Sequence, residues 1–163
     1  MTMTKRLIIR KGDVFCVEIE NEYKCFFQYI EKDATQLSAN VIRAFKTRYP
    51  ITYEPIVDEI VKDDVSFYAH TIIRFGTHYN AWHKVGAAKD VGDTENICFR
   101  LFDDKWYIWK INGKFQFIDE LTDEVKRYDF GWVFSYKEII KKIQTGNYSD
   151  WLEFKVELKH KAD

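Results

Sequence analysis

The sequence predicts an α+β, mainly β fold: a curved antiparallel sheet or an SH3-like barrel with additions, and one C-terminal amphipathic helix. Three observations predict it. Apolar residues recur with period two through several short runs, the pattern of half-buried strands. Aromatic residues make up 17% of the chain, with 13 Phe, 10 Tyr and 5 Trp against only 7 Gly and 2 Pro, a mixture that suits pleated surfaces. A clear helical stripe is carried by one segment, close to the C-terminus. At 163 residues, the chain has the length of a single domain with a sizeable core. The core is expected over residues 5–146, with 147–163 as an edge strand or tail.

The first strand covers Asp13 to Ile19, with Phe15, Val17 and Ile19 on one face. The second covers Tyr23 to Ile30 and is apolar on both faces. Glu20-Asn21-Glu22 turns between them, since Asn tolerates positive φ. Residues 31–40 read as a loop. Val41 to Tyr49, rich in β-branched and aromatic residues, reads as a strand, with a short helix as the alternative. Pro55 is placed for the first position of a helical turn over Ile56, Val57, Ile60 and Val61. Val65 to Phe75 alternates as one long strand with a single core face. Gly76 to Thr94 is loop-like, with Trp82 in its middle; a loop of that length is usually functional or structured in its own right.

Ile97 to Phe102 is a short strand. Trp106–Ile111 and Lys114–Ile118 flank Asn112-Gly113, the strongest short hairpin signal, because a two-residue type I′ turn needs positive φ at both positions. Residues 119–129 are charged and loop-like, and Gly131 to Phe134 is a last candidate core strand. Ser135-Tyr136-Lys137-Glu138 has the form of a capping box. The helix that follows places Tyr136, Ile139, Ile140 and Ile143 on one face, and Gly146 is its natural stop. Trp151 to Leu158 alternates weakly.

Net charge is −1, from 25 Lys+Arg against 26 Asp+Glu, which excludes a generally basic nucleic-acid coat. There is no apolar run of membrane-spanning length. Leu7-Ile8-Ile9 is too short for a signal-peptide core, so the expected compartment is the cytoplasm. Cys16, Cys25 and Cys98 form no C-x-x-C pair and read as buried free thiols. Cys16 and Cys25 fall on adjacent expected strands.

No motif carries a chemistry. His70, His78, His83 and His160 lack metal-ligand spacing, and neither a nucleophile elbow nor a phosphate-binding glycine loop is present. The expectation is therefore no catalytic residue, no metal and no cofactor. Two segments, Arg43–Tyr49 and Lys105–Lys110, interleave cations with aromatic residues as a single-stranded nucleic-acid platform would. Alternation along a strand equally sends those rings to the core and the lysines outward. A small enzyme with a pocket in loop 76–94, using His78, His83 or Asp90, is a further alternative.

The best electrostatic feature is acidic. Glu54, Asp58, Glu59, Asp63 and Asp64 fall within eleven residues, with Lys62 as the one counter-charge. Such a run is either a solvated face or a docking surface for a basic partner, whose encounter a single-sign patch steers.

Lys11-Gly12-Asp13-Val14-Phe15 opens the first strand, an aromatic second strand follows, Trp82-His83-Lys84-Val85-Gly86 comes after a long strand, and an aromatic hairpin precedes Gly131-Trp132-Val133. Outside residues 31–64, this layout resembles the immunity protein 26 family of bacterial polymorphic toxin systems. The resemblance implies a non-catalytic cytoplasmic protein that binds and neutralises a cognate toxin domain encoded beside it. A basic nuclease domain is the toxin chemistry that an acidic surface suits. Glu54, Asp58, Glu59, Asp63, Asp64 and Trp82 are the candidate partner-binding residues, Trp82 as an aromatic anchor.

Overall fold

The computed structural model describes residues 6–149. In chain order its elements are β1 (Asp13–Ile19), β2 (Tyr23–Asp33), β3 (Ala39–Phe45), β4 (Tyr49–Pro50), α1 (Val57–Ile60), β5 (Val65–Thr71), α2 (Ile73–His78), β6 (His83–Ala87), β7 (Cys98–Phe102), β8 (Trp106–Lys110), β9 (Gln116–Ile118), α3 (Asp123–Lys126), β10 (Asp129–Phe130), β11 (Val133–Phe134) and α4 (Tyr136–Thr145). A seven-stranded sheet runs in the order β11-β5-β3-β2-β1-β6, with β4 added on β2. A second sheet runs β10-β7-β8-β9. The fold is thus mainly β with open sheets. Among the described residues β11 and β6 are the edges of the large sheet, so the curved-sheet form holds there and no barrel closes.

Both faces of the large sheet are covered, which explains why β2 is apolar on both sides. Phe15, Val17, Ile19, Phe27, Ile42 and Ala44 pack with Ile73, Trp82, Phe134, Ile139 and Tyr148 beneath α2 and α4. On the opposite face, Val14, Cys16, Phe26 and Phe45 pack with Ile60 and Val61 of the α1 region. Further along, Ile30 and Val41 meet Phe99 and Trp109 of the second sheet. Cys16 and Cys25 are adjacent in the β1–β2 ladder but one residue out of register. They are free and buried, while Cys98 is half-buried.

Several expectations are corrected. The loop expected over 31–40 shrinks to 34–38, because β2 continues to Asp33 and β3 begins at Ala39. Residues 41–49 are strand only to Phe45, and the chain then turns before β4. Pro55 precedes the helix cap Ile56 instead of opening the helix. The long strand over 65–75 stops at Thr71, and α2 takes its end. Tertiary packing decides this. The Trp82 indole Nε1–H donates to the Ile73 carbonyl at 3.0 Å, and its ring lies against Gly76, where an added Cβ would stand 2.0 Å from it. Loop 76–94 accordingly holds the end of α2 and all of β6.

The hairpin at Asn112-Gly113 exists, but not with a type I′ turn. Gly113 N–H donates to Lys110 O at 2.7 Å, Asn112 alone of the pair has positive φ, and pairing starts only at Ile108–Gln116. A two-residue hairpin turn with both φ positive lies instead at Glu20 and Asn21, closed by Glu22 N–H to Ile19 O at 2.8 Å. Residues 119–129 contain α3, capped by the Thr122 hydroxyl, and the start of β10. Two short parallel pairings, β10 with β7 and β11 with β5, complete sheets that are otherwise antiparallel.

Ser135 caps α4 by accepting from Glu138 N–H at 3.3 Å, and Gly146 ends it at φ +79°. The capping box is half made: the Glu138 carboxylate accepts from the Ser149 backbone N–H and hydroxyl. The weak alternation at 151–158 lies outside the described residues.

Candidate functional site

The acidic run occupies the β4–β5 connection, and its apolar residues fix it to the sheet. Ile60 and Val61 are buried on the Phe26 face. Tyr49 and Tyr53 stack at 4.1 Å, and both meet the Phe26 ring edge-on. Lys24 Nζ donates to the Tyr53 carbonyl at 3.1 Å. The Arg43 guanidinium donates to Val61 O at 3.4 Å from inside the protein. On the β6 side the connection packs tightly, since a Cβ on Gly86 would stand 2.7 Å from Val57. Asp58 and Glu59 occupy the first turn of α1, where negative charge suits the helix dipole.

These anchors leave Glu54, Asp58, Glu59 and Asp64 exposed, with Asp63 half-buried. Asp63 is partly structural: its carboxylate accepts the Thr47 and Asp64 backbone N–H groups, each at 2.8 Å. Among the described residues, no cation lies within ion-pair distance of any of the five. Ile56, expected within the helical turn, caps α1 and is 51% exposed. An exposed apolar side chain on the same short segment as these exposed carboxylates resembles the anchor-and-rim arrangement of protein interfaces. Burial raises the Tyr49 phenol, and the neighbouring Tyr53, Asp63 and Glu59 raise it further.

Trp82 does not belong to this surface. It is 3% exposed, edge-on to Phe27 at 4.9 Å, and is a core residue that a partner cannot reach. The segments considered as nucleic-acid platforms are also divided by burial. Arg43, Phe45, Trp106 and Trp109 are buried. Arg43 donates to Gln28 Oε1 at 2.9 Å and to Asp90 O at 3.0 Å, which makes it a clamp on the loop after β6. At the surface of the second sheet, Lys105 lies 4.8 Å from the centre of Phe117, itself 60% exposed, and Phe115 is partly exposed beside Tyr107.

In loop 76–94, His78 packs against Tyr79 at the end of α2, His83 lies on β6, and the Asp90 carboxylate accepts from Gly92 N–H in its own turn. The structure shows no hydrogen bond joining these three. No group of three or more His, Cys, Asp or Glu placed to hold a metal ion occurs among the described residues.

Sequence reading missed one buried polar cluster. Asp33 Oδ2 accepts from Trp109 Nε1–H at 2.9 Å and meets His70 Nε2 at 2.8 Å, while Oδ1 accepts from the Asn112 backbone N–H at 3.1 Å. Burial works against the Asp33 charge, but the hydrogen bonds from His70, Trp109 and Asn112 outweigh it and hold the carboxyl below its usual range. His70 Nδ1 has no hydrogen-bond partner among the described residues. The cluster is enclosed between the sheets, so its role is structural. The three residues lie far apart in the chain, and no local signal announces them.

Comparison of the chain with protein-family models, with curated proteins and with solved structures found no match. No helix among the described residues is long and apolar enough to cross a membrane.

Proposed function

We propose that this chain is an inhibitory binding protein, an immunity protein that acts in the cytoplasm to block a cognate toxin domain. In this reading the partner docks on the β4–β5 connection. One observation carries it: Glu54, Asp58, Glu59 and Asp64 are held exposed, with no ion-pair partner among the described residues, on the same segment as the exposed Ile56, and buried residues pin that segment. A pre-ordered patch of one sign raises the association rate of a basic partner and penalises acidic competitors. The resemblance of the strand-opening and Trp82–Gly86 motifs to the immunity protein 26 family points the same way.

The test uses the protein encoded beside this chain. Its C-terminal domain, expressed alone, is expected to arrest growth, and co-expression of this chain is expected to restore it. The quadruple variant Glu54→Lys, Asp58→Lys, Glu59→Lys, Asp64→Lys should fold, bind more slowly at low salt and fail to protect. Protection by that variant equal to wild type would remove the acidic surface from the interface. A neighbour that is neither bound nor neutralised by the wild-type chain would end the immunity reading.

A second reading, single-stranded nucleic-acid binding, is favoured by the Lys105–Phe117 stack beside Phe115 and Tyr107. It requires that oligonucleotide binding be steeply salt-dependent and be lost in Phe117→Ala. Absence of binding at low salt eliminates it.

A further inference from the structure

A cleft of about 320 Å³ opens on the edge opposite the second sheet, between the ends of β2, β3 and β5 and the last turn of α4. Lys46, Arg48 and Lys142 line it together with Ser66, Thr145 and Cys25. Among the described residues no carboxylate lines it, although the chain as a whole has slightly more acids than bases. Two cations of the β3–β4 connection and one of α4 therefore converge on one concave site.

The plain explanation would be that they neutralise the C-terminus of α4, and the geometry does not support it. A helix C-terminus carries roughly half a negative charge, against three positive charges here. The terminal carbonyls are also served without Lys46 or Lys142. Gly146 N–H donates to Lys142 O, the Thr145 hydroxyl reaches the carbonyls of Lys141 and Asn147, and Arg48 donates to Gln144 O at 3.2 Å. Lys142 Nζ lies instead over the rings of Tyr148 and Phe67, at 5.0 and 5.8 Å. Arg48 lies over Tyr23 at 4.5 Å. Among the described residues, none of the three cations has a carboxylate within ion-pair distance. Burial pushes the Cys25 thiol up to about 11, against the pull of Arg48, so the sulfur adds no negative charge.

From this geometry we propose that the cleft binds a small anionic ligand bearing two or more phosphate charges. A guanidinium fork and two ammonium groups match the several oxygens of such a group. The volume is at the lower end of the range for small-molecule sites, which suits pyrophosphate or a nucleotide better than a larger molecule. The cleft borders the acidic segment, whose Asp63 carboxylate accepts the Thr47 N–H and whose Asp64 carbonyl accepts the Lys46 N–H, but none of the five acids lines it, so its test does not depend on the docking reading.

The test titrates the isotope-labelled full chain with inorganic pyrophosphate, ATP and adenosine at low ionic strength, read by calorimetry and amide chemical shifts. Pyrophosphate and ATP are expected to bind, with shifts at residues 46–48, 66 and 142–146, and adenosine is not. ATP tighter than pyrophosphate would assign a nucleotide; equal affinity would assign the phosphates alone. Arg48→Gln and Lys46→Gln alter exposed side chains, and each should weaken binding about tenfold with the melting temperature unchanged. Lys89→Gln, outside the cleft, should bind as wild type. Adenosine binding as tightly as ATP, equal loss in Lys89→Gln, or no binding of pyrophosphate and ATP at low salt would overturn the proposal.

Discussion

Asp33 Oδ2 stands 2.8 Å from His70 Nε2, with both side chains wholly withdrawn from solvent. The Trp109 indole donates to the same oxygen from the second sheet, so one carboxylate ties β2, β5 and β8 together. Removing it leaves the buried His70 and Trp109 side chains without that acceptor, and takes one from the backbone N–H groups of Gln36 and Asn112. Asp33→Ala is therefore expected to cost about 3 kcal/mol or more, measured by urea unfolding. A loss under about 1 kcal/mol would mean that the cluster is dispensable.

The pH dependence of stability should carry the signature of two acids with opposite signs. The folded-state pKa of Asp33 is lowered. Its contribution is present above the unfolded value of about 3.9 and is lost as pH falls through the lower folded value. Asp129 is raised, by burial first, although Tyr68 N–H, Lys142 and Arg100 pull it down. Its contribution is present below the unfolded value and is lost as pH rises through the folded one. Asp33→Asn should flatten the acid limb of the stability curve and destabilise at pH 7. Asp129→Asn keeps an acceptor for Tyr68 N–H and should leave stability at pH 7 equal to wild type or higher. Equal losses in the two variants would contradict this assignment.

Gly76 makes room for the Trp82 ring, since an added Cβ would stand 2.0 Å from it. The ring belongs to the core and cannot retreat. Gly76→Ala is expected to cost about 2 kcal/mol or more through overpacking, and Trp82→Ala about 3–5 kcal/mol through the cavity it leaves. Thermal melts of the two variants check this. A melting temperature unchanged in Gly76→Ala would show that α2 shifts freely.

Arg43 and Gln28 hold the loop after β6 from below. Gln28 Nε2 donates to the carbonyls of Gly12, Ala88 and Asp90, and Arg43 donates to Asp90 O and Val61 O. Arg43→Met should destabilise the fold and speed amide hydrogen exchange both in 88–92 and in the acidic segment next to Val61. Exchange accelerated in only one of these would show that the clamp holds only that segment.

The chain's local order was legible wherever nearest neighbours decide it. The alternation of Phe15, Val17 and Ile19, the Ser135 cap, the Ile139 face and the Gly146 stop are short-range facts of backbone geometry and side-chain period, and they appear where the residues place them. The acidic run was legible too, because charge needs no partner to be read. Its exposure was not. That Ile56 faces solvent, that Trp82 lies in the core and that the strand ends at Thr71 all depend on what packs from elsewhere in the chain. The same holds for the Asp33 cluster and the cationic cleft. Asp33, His70 and Trp109 become neighbours only when long loops close, as does Lys142 with the Lys46–Arg48 pair, and no local preference encodes that convergence. Composition and period thus determined a mainly β chain with one amphipathic helix. Which polar groups are buried together, and which charges are left facing water, was decided by the tertiary packing of the sheets and the helices on them.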